Sequence, residues 1–215
     1  MHRHSAVTGR RLNIGRYTNV TVRRTNLNIQ HLEFRHCHIG GTVYLAVEGL
    51  LWLLSALLGA MGQIPASMLV LLFGGMFIYP VSTACSRLLG MPKPDDSNRL
   101  AALSTWVALT IPLGLPLIFM ATSAGREELF FPAFTVLIGA HWLPFAYIYS
   151  MKSFVVLAVV LVVTGTLFAF VFQQLYAASG FVTAGILLIF AAIHYVVVHR
   201  ERLRGVPTSS GSSGA

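Results

Sequence analysis

The chain has 215 residues, of which 55% are hydrophobic and only 10% charged, with a mean hydropathy of +0.71. A soluble domain carries about 25% charged residues, and a fold of this length could not cover its surface with so few, so composition excludes an ordinary soluble enzyme and points to an integral membrane protein. The net charge of +8 does not make it a nucleic-acid binder, because the charges gather at the edges of apolar runs.

Residues 1–38 come first: polar, Arg-rich, with Glu33 as the single acid and no apolar run able to cross a bilayer. They read as a cytosolic arm whose arginines touch anionic lipid headgroups, as a transit peptide, or as a start upstream of the natural one. "TGRRLN" has a twin-Arg look, but the first apolar run comes well after it and is long enough to span, against an export signal. "NVT" at Asn19 matches a glycosylation sequon that the cytosolic side would leave unused. "LNIQHLEFR" reads as a short interfacial helix leading into the first span. The cluster "HLEFRHCHIGG" holds His31, His36, Cys37 and His38. Adjacent H-C-H lacks the usual zinc spacing and no second ligand pair follows, so neither a metal nor another cofactor is expected. Cys37 and Cys85 make no disulfide framework and read as free thiols.

Six apolar segments follow, over 41–62, 67–87, 100–122, 131–150, 154–174 and 181–199. Each has roughly the 20 residues that cross ~30 Å of hydrocarbon as a helix. Helices are required because lipid offers no partner to an open backbone group. The connections "GQIP", "GMPKPDDSN", "SAGREEL", "SMKS" and "YAASG" are short, which makes sequence neighbours antiparallel. The expected fold is all-α, an integral membrane bundle of six transmembrane helices over 39–204, with the arm before it and a Gly/Ser-rich tail, 205–215, expected to be disordered. Of the fifteen Lys and Arg, all but Arg126 fall on one side of that topology. Basic residues mark the cytoplasmic side, so the chain is expected N-in/C-in. Asp95 and Asp96 balance Lys93 and Arg99 in an inner loop, and Arg126, Glu127 and Glu128 read as a solvated outer loop.

Inside the spans three ionisable residues need a reason, since a charge at mid-bilayer costs at least ~2.5–3.5 kcal/mol: Glu48, His141 and His194. Counted from the inner ends they lie roughly 12, 16 and 9 Å deep. Glu48 and His141 match in depth and pair if their helices touch. Tyr44, Glu48, Trp52, Ser55 and Gly59 recur at steps of three and four and share one helical stripe, which should face the bundle. Glu48 is then packing glue, the wall of a solvated cavity, or a catalytic carboxylate. His194 lies close enough to the interface to reach headgroups, so a structural role is expected of it. His141 stands three residues before Pro144, which withdraws a hydrogen bond from the Ala140 carbonyl. Either His141 is an ordinary hydrogen-bonded residue, or ring and proline belong to one opened turn, with His141 or a water donating to that carbonyl. Pro80 follows Gly74 and Gly75 in the second span, and Pro112 and Pro116 interrupt the third. Such breaks fit hinged helices around a site, as in transporters, or the common enrichment of Gly and Pro in membrane helices.

The stretches "LEFRHCHIGGTVYLAVEGLLWLLSALLG", "FGGMFIYPVS" and above all "GAHWLPFAYIYSMKSF" resemble a family of small bacterial integral membrane proteins with no assigned activity, over roughly residues 31–202. The resemblance implies a bacterial inner membrane and a compact bundle of about six helices. It carries over no catalytic residue, and the Arg-rich residues 1–30 go beyond it.

The sequence holds no phosphate loop, nucleophile elbow, H-E-x-x-H or acidic dyad within a span, which argues against an enzyme. The expected activity is binding or transport of a small solute or ion at an inner-half polar site of Glu48, His141, Tyr44, Trp52, Tyr79, Pro80 and Pro144. The alternative is a non-catalytic structural or regulatory membrane protein. The lipid bilayer is the expected partner, nucleic acid is not one, and six short spans that enclose little volume are compatible with a homo-oligomer.

Overall fold

The computed structural model describes residues 27–93, 98–123 and 125–204. The stretch before residue 27, with Asn19 and the twin arginines, the acids Asp95 and Asp96, and the tail 205–215 lie outside the described residues.

Among the described residues every regular element is helical. Helix α1 covers residues 27–37, and a 3-10 turn at Ile39–Gly41 joins it to α2 (Thr42–Ala60). Then come α3 (Ile64–Leu88), α4 (Arg99–Ala108), α5 (Thr110–Ser123), α6 (Phe130–Trp142), α7 (Phe145–Ile148), α8 (Ser153–Phe170) and α9 (Tyr176–Arg204). They form six stretches long and apolar enough to cross a membrane: Ile39–Ala60, Ile64–Leu88, Arg99–Met120, Glu127–Ile148, Ser153–Phe170 and Tyr176–Arg204. Local chemistry sets several boundaries. Pro65 occupies the first turn of α3, where its missing N–H costs nothing. Asn98 caps α4, its side chain accepting from the Leu100 amide at 3.0 Å.

Two hairpin-like pairs build the core. Helix α2 runs antiparallel to α9, with Gly40 beside Val198, Gly49 beside Leu188 and Gly59 beside Tyr176. Helix α6 runs antiparallel to α8, with Gly139 against Leu161 and Gly165 against the Pro132 carbonyl. On the outside of α2 lies α3, Gly74 against Leu51, and on the outside of α6 lies α5, Gly114 against Leu137. Small residues at each crossing let backbones approach, the means by which helices associate where lipid is as apolar as the side chains. Leu69, Phe73, Met76 and Phe77 of α3 and Leu113, Leu117 and Met120 of α5 face outward, as lipid-facing positions do.

Several boundaries differ from the sequence reading. The fifth span ends at Phe170, and "YAASG" is not a connection but the first turns of α9. Tyr176 reaches Ser67, hydroxyl to hydroxyl at 2.8 Å, and Gly180 seats against Ala56 and Phe131, so packing on α2 draws these small residues into the helix. The third span breaks at Leu109, because Pro112 has no N–H for the carbonyl four residues back. In the second span, by contrast, Pro80 sits inside an unbroken α3.

The interfacial helix expected from "LNIQHLEFR" is α1, and it belongs to the bundle. Its Arg35 forms an ion pair with Glu201 of α9, with Nε to Oε2 at 3.0 Å, so residues 27 and 204 lie at one end of the bundle. That end, with Arg35, Lys152, Arg200, Arg202 and Arg204, is the basic end. His194, expected to be structural, turns inward and away from headgroups. It is fully buried, and its Nδ1–H donates to the Gly40 carbonyl at 3.0 Å while Nε2 is buried with no partner among the described residues. His194→Phe keeps the ring contacts to Phe154 and Phe190 but orphans that carbonyl. Because the unpartnered nitrogen leaves too, the expected net loss is about 1 kcal/mol, read as a lower unfolding midpoint in detergent. An unchanged midpoint would show that other contacts hold the turn.

Candidate functional site

The stripe read from the sequence faces inward: Trp52 and Ser55 are fully buried, Glu48 is 3% exposed and Tyr44 is half-buried. Ser55 donates to the Ser67 carbonyl at 2.7 Å, which ties the outer part of the stripe to α3. Two turns closer to the basic end, the Glu48 carboxylate accepts a hydrogen bond from Trp142 Nε1 at 2.9 Å. Trp142 is the last residue of α6, buried and stacked on Phe154 at 5.4 Å with an interplanar angle of 16°.

Glu48 and His141 do not form the pair that matching depth proposed. Among the described residues no ion pair joins them. Successive helix residues point about 100° apart, so α6 turns Trp142 to α2 and His141 to α5. His141 Nδ1 lies 3.1 Å from Thr110 Oγ1, whose single proton goes to the Val107 carbonyl at 2.7 Å. The imidazole is therefore the donor of that pair. It braces the break in the third span beside Pro112.

The opened turn around Pro144 is also corrected. The Ala140 carbonyl is taken by the Leu143 amide at 3.4 Å, so the tightened end of α6 closes itself without the His141 ring. Pro144 and Pro80 are exposed, and Tyr79 is 65% exposed. The Tyr79 ring meets Tyr44 at 6.3 Å, but the structure does not bring these three residues to the carboxyl. Sequence reasoning missed Trp142, which stands inside "GAHWLPF" but carries no charge to attract attention. It also missed Thr110 and Phe154.

An aromatic floor lies between Glu48 and the basic end. Phe154 stacks on Trp142 and on Tyr149, the latter at 5.2 Å and 15°, and meets His194 edge-on at 4.5 Å. Phe34 of α1 lies 5.3 Å from Tyr149, and His38 lies 4.3 Å from Phe34 and 6.0 Å from Tyr44. Burial holds the His38 imidazole below its usual range, against a hydrogen bond to the Phe34 carbonyl. Burial, then the charges of Arg202 and Arg35, lower His36 in the same way, with Glu201 opposing, and burial followed by Glu33 raises the Cys37 thiol. Among the described residues no three His, Cys, Asp or Glu side chains gather to hold a metal ion.

A lateral cleft of about 230 Å³ opens between α3 and α5, lined by apolar residues such as Met68, Leu72, Ile118 and Phe130. Neither Glu48 nor His141 lines it, nor a second hollow at residues 170–175.

Residues 28–197 match the family described as "Family of unknown function (DUF7010)". No curated protein and no solved structure matches the chain.

Proposed function

The chain belongs to this family of unknown function, and from that premise we propose that it is a multi-pass protein of a bacterial inner membrane, N-in/C-in, that binds or passes a small cation or proton at Glu48. The orientation is supported by the described basic residues, of which only Arg126 lies away from the basic end or its loops. The bacterial setting is supported by the resemblance carried by "GAHWLPF".

One observation carries the assignment of Glu48. A carboxyl on a membrane-spanning helix is 3% exposed, accepts from a neutral indole, and has no ion pair among the described residues. An ionised group there costs at least ~2.5–3.5 kcal/mol, so it is stable when a proton or another cation joins it. The closed packing around it favours the rival reading, in which Glu48 only holds α2 to α6.

Glu48→Gln separates the two, because the amide oxygen still accepts from Trp142 while the ionisable group is gone. In lipid nanodiscs, tryptophan fluorescence of the native chain is expected to change with pH or added sodium, and that change to be lost in E48Q and, because Trp142 is the reporter, in Trp142→Phe. Proton flux in proteoliposomes should fall in E48Q as well. A native chain as flat as E48Q would leave Glu48 as glue and sink the proposal.

A further inference from the structure

We infer that α1 is a strap that closes the basic-end route to Glu48 and swings open about the Ile39–Gly41 turn. This rests on the reading of Glu48 as a site reached from that end.

The strap completes the seal. Below the Trp142–Phe154–Tyr149 stack, the next rings belong to Phe34 of α1 and His38 just after it. Without them, Tyr149 would lose the two rings that meet it from the side of α1. Yet α1 is only one layer deep. Phe34 and Cys37 are its buried residues, and Ile29 and Leu32 face outward.

Polar clasps supply much of what holds it, and they go to the ends of three helices, α4, α7 and α9. Arg35 pairs with Glu201 of α9 and also donates to the Ser150 carbonyl at 3.4 Å. Arg202 donates to the His36 carbonyl. His31 Nδ1 bonds the Ile148 carbonyl at 3.1 Å, and Asn98 Nδ2 donates to the Gln30 carbonyl at 3.1 Å and to Glu33 at 3.0 Å. These clasps are mostly half-buried at the rim of the bundle, and being polar contacts that water can replace, they let the helix release without unpacking the core.

The joint is built for movement and held under tension. Ile39, Gly40 and Gly41 have φ of 47°, 58° and 77°, three successive left-handed residues. For the β-branched Ile39 this conformation costs about 1–3 kcal/mol. The two glycines take these φ values without strain and also pack closely: a Cβ on Gly40 would meet Met151 and Val198 at 3.0 Å and one on Gly41 would meet Phe154 and Tyr149 at 3.2 Å. His194 grips the Gly40 carbonyl, and Thr42 donates to the Ile39 carbonyl at 2.7 Å. Backbone strain thus favours opening and the clasps favour closure, which makes a two-state element.

The test uses the full chain in nanodiscs with Cys85→Ala, so that buried Cys37 is the only thiol. Glu201→Arg sets like charges against Arg35. Maleimide labelling of Cys37 is expected to quicken about tenfold, the ratio set by ~1.4 kcal/mol of lost clasp. Iodide quenching of Trp142 should rise with it, measured as the difference from Trp142→Phe. The swap R35E/E201R should return both toward the native values, which a misfolded chain would not do. Native-rate labelling in E201R overturns the strap. So does faster labelling with unchanged Trp142 quenching, or a swap no better than the single variant. The labelling should be the same in E48Q, so a failed Glu48 titration with intact strap behaviour would count against the functional reading alone.

Discussion

Trp142→Ala is expected to cost about 3 kcal/mol of stability in detergent, Trp142→Phe about 1–2 kcal/mol, and Glu48→Gln less than about 1 kcal/mol. The alanine variant empties a buried site that touches Phe145 and Phe154 and also removes the donor to Glu48. In water such a truncation costs about 3–5 kcal/mol. In a membrane or micelle the truncated chain also unfolds into an apolar medium, so the transfer part shrinks and the lost packing dominates. The phenylalanine variant keeps most of the stack and isolates the second effect, a buried acceptor left without a partner. The glutamine variant retains the acceptor. Reversible unfolding in mixed micelles would rank the three. If Trp142→Phe were as stable as the native chain, the indole N–H would carry none of the burden of burying Glu48.

The second large effect is expected at Gly165. An added Cβ would sit 2.7 Å from the Pro132 carbonyl oxygen and 3.0 Å from the Val136 amide nitrogen. Those are backbone atoms of α6 and cannot rotate away, unlike the tip of a side chain. Gly165→Ala therefore forces α6 and α8 apart along their whole contact, and the loss should reach or exceed about 3 kcal/mol, the upper end for overpacking. Gly185 is the control. It lies within α9 with open space where a Cβ would go. Gly185→Ala is expected to be neutral or to stabilise by up to about 1 kcal/mol through helix propensity. Thermal unfolding of the two single variants would show opposite signs. Equal midpoints would mean that close backbone approach does not set the α6–α8 spacing.

Much of the architecture was legible before any coordinates. The six apolar runs, their short connections and the inward stripe of Tyr44, Glu48, Trp52 and Ser55 all follow from patterns along one chain. The errors have a common origin. Depth and charge match His141 to Glu48, but a helix turns about 100° per residue, and the next residue, Trp142, is the one that faces α2. Nearness in sequence joins Pro144 to His141, whereas Thr110, in another span, holds the ring. Level along the bundle puts Tyr79 and Pro80 near the carboxyl, but this part of α3 turns outward. For His194 a count from the helix end gives a level near the headgroups and a structural role, but not its partner, the Gly40 carbonyl, which comes from the turn after α1.

Hydropathy is a property of each segment taken alone, and lipid requires every span to satisfy its own backbone. The sequence by itself therefore determined an all-helical chain with six stretches able to cross a membrane. Partner choice depends on how each helix is rotated and how closely neighbouring backbones approach. Small residues, prolines and remote ring contacts set these together, so only the tertiary structure decided that an indole meets Glu48, that a threonine meets His141, and that α1 folds back beneath them.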